Sequence, residues 1–143
     1  MVAYIDSSAL LRYILLGDLG MRHAMGFPRM ASSELLEIEC RRAIGRCRLH
    51  NELDDAALVL ALDRLDRTLE MVDLIELDGS VKRRAMGSFP VVVKTLDALH
   101  LATALALAEA EAERPGGVQV FSYDRAMNLC ARALGLGAPL AHA

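Results

Sequence analysis

Four carboxylates in this sequence stand where their type and spacing could do chemistry: Asp6, Glu39, Asp97 and Asp124. Asp6 follows Val2-Ala3-Tyr4-Ile5, an apolar run with a β-branched residue at either end that reads as a short buried strand. Asp124 follows Val118-Gln119-Val120-Phe121-Ser122, a second such strand. Asp97 lies in the first turn of a helix for which Thr95 is a suitable N-cap. Each acid alone has a simpler explanation as a cap or first-turn acid, and Asp6 or Ser7 would cap the helix that resumes at Ala9. In a parallel sheet, however, strand ends and the following helix starts share one edge, and Asp6, Asp97 and Asp124 would gather there. Clustered carboxylates repel, so some protonate unless a cation holds them. An all-oxygen cluster suits Mg²⁺ or Mn²⁺ better than Zn²⁺. Such metals generate a hydroxide nucleophile and neutralise phosphoryl oxygens, which makes metal-dependent phosphoryl or phosphodiester chemistry the expectation.

Glu39 is selected by angle. The long helix expected from Ser32-Ser33-Glu34 to about His50 carries Leu36, Cys40, Ala43, Ile44 and Cys47 at helical spacing as its core stripe. At about 100° per residue Glu39 falls on the edge of that stripe, flanked by Leu35 and Ala43. Glu34, Glu37, Arg41 and Arg48 point away as solvated surface, with Glu37 and Arg41 a favourable i,i+4 pair. Arg42 and Arg46 project along the same edge as Glu39. They read either as salt-bridge partners along the helix or as guanidinium groups placed for phosphate oxygens.

The remaining elements alternate. Arg29 to Ser32 reads as a second strand, and breaks at Gly17 to Gly20 and at Gly26-Phe27-Pro28 precede it. A leucine-striped helix runs from Asn51-Glu52-Leu53-Asp54-Asp55 to about Glu70, and Val72 to Leu77 forms a strand. A short helix follows from Val81 to about Phe89, its Lys82-Arg83-Arg84 run a solvated face. Val91-Val92-Val93 reads as a strand or a buried connector before the Thr95 helix, which extends to about Arg114 and the Pro115-Gly116-Gly117 break. Asp124 opens the last helix, Gly135 closes it as a C′ glycine, and Ala138-Pro139-Leu140 offers a short edge strand. Strands alternating with helices imply a single α/β domain, a three-layer α/β/α sandwich with a mainly parallel central sheet.

A chain of 143 residues with 54% hydrophobic and 24% charged residues is an ordinary folded domain. Its formal charge of −3 excludes a broadly basic nucleic-acid binder but not a polyanion held through a metal or a local patch. Cys40, Cys47 and Cys130 lack metal-binding spacing and read as thiols in a reducing compartment. The apolar run from Ala98 to Ala108 is too short to span a bilayer, and Asp6 comes too early for a signal peptide. The expectation is a soluble cytoplasmic protein with no membrane partner. His100, three residues past Asp97, could hydrogen-bond near the site or act as a general base, but its Leu and Ala neighbours favour a structural role. His23, His50 and His142 have no such context.

Four motifs occur in order. They are Tyr4-Ile5-Asp6-Ser7-Ser8-Ala9-Leu10; Glu39 with Arg42-Ala43; Leu96-Asp97-Ala98-Leu99-His100-Leu101-Ala102-Thr103-Ala104; and Phe121-Ser122-Tyr123-Asp124 followed by Ala131 and Gly135. Together they resemble a PIN domain, in particular the VapC-type ribonuclease toxins of bacterial and archaeal toxin–antitoxin pairs. The resemblance covers essentially the whole chain. It implies a sandwich with the first strand at its centre and Asp6, Glu39, Asp97 and Asp124 as a metal-binding catalytic quartet. Ser7 and Ser122 match supporting hydroxyl positions, with Ser8 a looser match. The implied activity is Mg²⁺- or Mn²⁺-dependent endonucleolytic cleavage of RNA by a metal-activated water. The implied partners are a second copy in a homodimer and a cognate antitoxin whose tail enters the acidic groove. The segment from Leu16 to Ala31 is short and Gly/Pro-broken compared with many such toxins.

Two other readings compete. A haloacid-dehalogenase-like phosphatase would use Asp6 as nucleophile, but it wants a second Asp two residues on, where Ser8 stands. A receiver-like phosphoacceptor wants a lysine after the Ser122 strand, and none is suitably placed. The non-enzymatic alternative is a PIN-like interaction module.

Overall fold

The computed structural model describes residues 1–111 and 117–141. Strands β1 (Val2–Ile5), β2 (Arg29–Ser33), β3 (Val72–Ile75) and β4 (Val118–Phe121) form one sheet, all pairs parallel, in the order β3-β2-β1-β4. Between them run helices α1 (Ser7–Leu16), α2 (Gly20–Met25), α3 (Leu35–Leu49), α4 (Asp55–Leu69), α5 (Gly79–Ala85) and α6 (Thr95–Ala110), and α7 (Arg125–Ala133) follows β4. The α/β/α sandwich expected from the alternation is the fold.

The two-residue period of β1 divides the core. Ala3 and Ile5 pack into one layer with Leu10 and Ile14 of α1, Leu36, Cys40 and Ile44 of α3, and Leu65 of α4. Val2 and Tyr4 face the opposite layer, with Leu101 and Ala104 of α6 and Met127 and Cys130 of α7. All four β1 residues are buried, which suits a strand covered on both faces. Truncating Ile5 to Ala would cost about 2–5 kcal/mol, because close-packed neighbours on both sides collapse only partly into the void.

Chain order and spatial order part company at β1. The chain moves from β1 outward through β2 to β3, then returns to the other side of β1 with β4. The sheet therefore has its topological switch point between β1 and β4, where open α/β sheets form a crevice at the carboxyl ends of the strands. Asp6 leaves β1, and Ser122 to Asp124 leave β4, at that crevice. Because β4 runs parallel to the others, the helix feeding it, α6, begins at the carboxyl edge and carries Asp97 there in its first turn.

Several local expectations are corrected. Helix α2 occupies the glycine-broken segment, held by Met21 and Ala24, which are fully buried. Its six residues are too few for intrinsic helix stability, so tertiary packing forms it. Val91 to Val93 are a connector and no strand, and Val92 is 94% exposed. Lys94, not Thr95, is the extended N-cap residue of α6, since its carbonyl already accepts from Ala98 N–H at 2.9 Å. Helix α5 stops at Ala85, short of Phe89. The C-terminal tail pairs with the sheet through Gly137, which bridges Gln119, one residue before the expected segment. The expected end of α6 at Arg114, the turn at Pro115-Gly116, and His142 lie outside the described residues.

Other readings hold. Gly135, just past the C-cap Leu134 of α7, adopts φ 84, the left-handed conformation that a C′ residue needs and glycine supplies without strain. The Arg41 guanidinium pairs with Glu37 at 2.8 Å and also reaches Asp66 at 2.7 Å, clasping α3 to α4. Cys40 and Cys130 are buried and Cys47 is half-buried, all three as free thiols. Among the described residues no helix is long and apolar enough to cross a membrane.

Candidate functional site

Asp6 sits at the N-cap position of α1 with extended backbone, yet its carboxylate makes no capping hydrogen bond. It is 4% exposed and turns to two serines instead. Ser8 Oγ donates to Asp6 Oδ2 at 2.7 Å, and Ser122 Oγ donates to the same oxygen at 2.8 Å. Ser8 Oγ in turn accepts from Tyr123 N–H at 2.9 Å, and Ser122 Oγ accepts from Asp124 N–H at 3.0 Å. The residues after β1 and after β4 are thus tied across the switch point by one carboxylate oxygen. Two hydroxyl donors on one oxygen supply the hydrogen bonds that a buried carboxylate needs in place of water.

Glu39 is held just as firmly by different means. Its Oε2 accepts from Ser7 Oγ at 3.2 Å, and its Oε1 lies 2.5 Å from His100 Nε2. His100 is fully buried, and its Nδ1 stands 2.8 Å from the Tyr4 hydroxyl. Burial by itself would lower the pKa of His100, but the Glu39 hydrogen bond, with Asp6 and Asp97 nearby, outweighs it and moves the group upward from 6.5. Burial drives the Tyr4 phenol well above its ordinary value, so Tyr4 keeps its proton.

Asp97 and Asp124 complete the acid group in contrasting states. Asp124 does cap α7, its Oδ1 accepting from Met127 N–H at 2.8 Å, and is exposed. The Asp97 carboxyl accepts no hydrogen bond among the described residues. Its carboxyl is pushed up from 3.8 to about 6 by burial first, then by the negative charges of Asp124 and Asp6, with Glu39 adding and His100 opposing. Asp6, Glu39 and Asp124 therefore all act on Asp97 at the carboxyl edge of the sheet.

The arginines divide from the rest of α3 in the same way. Arg42 and Arg46 are exposed and form no ion pair among the described residues, so Glu39 takes His100 and not an arginine as partner. Both line a groove with Ser7, Leu11, Ile38 and Glu39 that Leu96 closes from the α6 side.

The donor set can be judged against a cation. Asp6 Oδ1, Asp124 Oδ2 and both Asp97 oxygens remain without hydrogen bonds among the described residues. Such oxygens suit a hard divalent ion in kind. Among the described residues, however, no three His, Cys, Asp or Glu side chains stand close enough together to hold a metal ion. Drawing them onto one ion requires side-chain movement.

Sequence reasoning underrated three contributors. Ser8, a looser match, is the hub joining Asp6, Ser122 and Tyr123. Tyr4 read only as a strand residue, and His100 gave no sign of touching both Tyr4 and Glu39. The one signal available was the helical spacing of Asp97 and His100, which puts both on neighbouring turns of one α6 face. No family model matches the chain, and no curated protein sequence matches it.

Proposed function

We propose that this chain is a cytoplasmic, metal-dependent endoribonuclease of the PIN type, acting as the toxin of a toxin–antitoxin pair. The observation that carries the reading is Asp97. It is a carboxyl without a hydrogen-bond partner among the described residues, at a strand-end crevice, raised to about 6 by burial and by Asp124, Asp6 and Glu39. A site that gathers negative charge against a group it leaves uncompensated is built to receive positive charge.

Asp6, Glu39, Asp97 and Asp124 would hold Mg²⁺ or Mn²⁺, which when bound lowers the pKa of water and neutralises a phosphodiester oxygen. The side chains do the rest. Ser8 and Ser122 orient Asp6, and Ser7 and His100 fix Glu39. Arg42 and Arg46, unpaired among the described residues along the groove, would meet RNA phosphates at the rim. Asp6 is buried and accepts two hydroxyls on one oxygen, an arrangement suited to a fixed ligand more than to the attacking nucleophile of a phosphatase. The proposed partners are RNA as substrate, a cognate antitoxin as inhibitor, and a second copy of the chain.

The alternative, a PIN-like interaction module, draws on the spacing of the acids, which brings no three ligands together among the described residues. The test is cleavage of RNA by the purified protein, freed of any partner, in Mn²⁺ or Mg²⁺. Cleavage should vanish with EDTA and in Asp6→Asn and Asp97→Asn. Tight antitoxin binding without cleavage in either metal would favour the interaction module.

A further inference from the structure

The Tyr4–His100–Glu39 line joins three elements that are far apart in sequence: β1, α6 and α3. Tyr4 points from the central strand into the second core layer, where His100 meets it edge to face with ring centroids 5.8 Å apart. A carboxylate can only accept, so His100 donates its Nε2–H to Glu39 Oε1 at 2.5 Å. A neutral ring with its proton on Nε2 is an acceptor at Nδ1, and the Tyr4 O–H, 2.8 Å away, donates to it. Ser7 holds the other Glu39 oxygen. The carboxylate is therefore fixed at both ends, and its rotation about the last side-chain bond is arrested.

We propose that Tyr4 and His100 are a buried positioning pair that sets the tautomer of the imidazole and, through it, the orientation in which Glu39 faces the acidic crevice. The pair rests on the metal-site reading above for its purpose, but not for its geometry. It is a positioning device because neither group reaches the reacting atoms: Tyr4 and His100 are 1% and 0% exposed. Groups behind a metal ligand that orient it commonly change metal affinity or activity by about 10–100-fold when removed. Packing alone would not require a polar pair, since a phenylalanine and a leucine would fill the same space.

Three variants test the pair. Tyr4→Phe removes one oxygen and keeps the ring contact, so it folds. His100→Gln keeps an amide N–H near the Nε2 position, and His100→Leu removes it. With Mn²⁺ alone as probe, calorimetry should show about tenfold weaker binding in Tyr4→Phe and His100→Leu, with recovery toward wild type in His100→Gln. Wild-type Mn²⁺ affinity in both Tyr4→Phe and His100→Leu, with only melting temperature lowered, would reduce the pair to packing and overturn the proposal. A second measurement stands apart from metal binding. Imidazole nitrogen shifts of the metal-free protein at pH 8.5 should show His100 as a single Nε2–H tautomer, mixed in Tyr4→Phe. An Nδ1–H tautomer in the wild type would overturn the proposal. If the wild type neither binds Mn²⁺ nor cleaves RNA while this tautomer pattern holds, the nuclease reading fails and the positioning pair stands.

Discussion

Ser122 reaches across 116 positions of sequence to donate its hydroxyl to Asp6 at 2.8 Å. Ser8 serves the same oxygen from the α1 side at 2.7 Å. Hydrogen bonds to charged acceptors contribute about 1.5–3 kcal/mol, so Ser122→Ala should lose about that much stability in urea titration. Ser8→Ala should behave alike. Because both hydroxyls share one acceptor, the double variant should depart from additivity by about 0.5–3 kcal/mol. Strict additivity would mean that the two serines support Asp6 independently.

Asp97 predicts the opposite sign. Its carboxyl is pushed up to about 6 in the folded chain against 3.8 for a free carboxyl, so protonation favours the fold. Its contribution to stability is fully present below about pH 4 and is lost as pH rises through about 6. His100, raised above 6.5, leans the same way, with stability present below that value and lost as pH rises through its folded one. Metal-free Asp97→Asn should therefore melt a few degrees above wild type at pH 7.5 and lose the advantage at pH 4, even as it abolishes cleavage. A lower melting temperature at pH 7.5 would show that Asp97 is not held against its neighbours.

A divalent ion should relieve the same strain. Mn²⁺ at about 100 times its dissociation constant should stabilise the wild type by about 2.7 kcal/mol, read as a rise in melting temperature that EDTA reverses. Asp97→Asn should give little or none of that rise. An equal rise in both proteins would place the ion away from Asp97.

Arg42 and Arg46 make a separate prediction. Both are exposed and without ion-pair partners among the described residues, so Arg42→Glu with Arg46→Glu should change stability by no more than about 0.5 kcal/mol each. The KM for RNA should rise severalfold and become less salt-dependent, with kcat little changed. An unchanged KM would remove the α3 edge from the substrate path.

What was legible in the sequence follows the range of the forces involved. Buried strands and long amphipathic helices carry their own period, so β1, α3 and α4 could be placed without the structure, and Glu39 could be singled out by its angle on α3. Helix α2 could not, because Met21 and Ala24 form it by being packed, and its six residues show too little periodicity. Val91 to Val93 stayed open between strand and buried connector: β-branched residues prefer strands, but no strand among the described residues pairs with them, and the connector they form leaves Val92 exposed. The acids were found by type and place, but their state was not. Whether Asp6 caps a helix or accepts two serines depends on Ser122, and no local pattern links position 6 to position 122.

The placement of β1 between β2 and β4 also sets an order of assembly. Of the four strands, β1 is made earliest, and it is completed on one side by β2 and on the other only by β4, 116 positions later in register. Long-range pairings of this kind are slow to form, since a large loop must close before they return any energy. A chain that has folded everything through α6 still lacks Ser122 and Asp124, and its Asp6 has only Ser8 to steady it. The acidic crevice and the finished fold arrive in the same step.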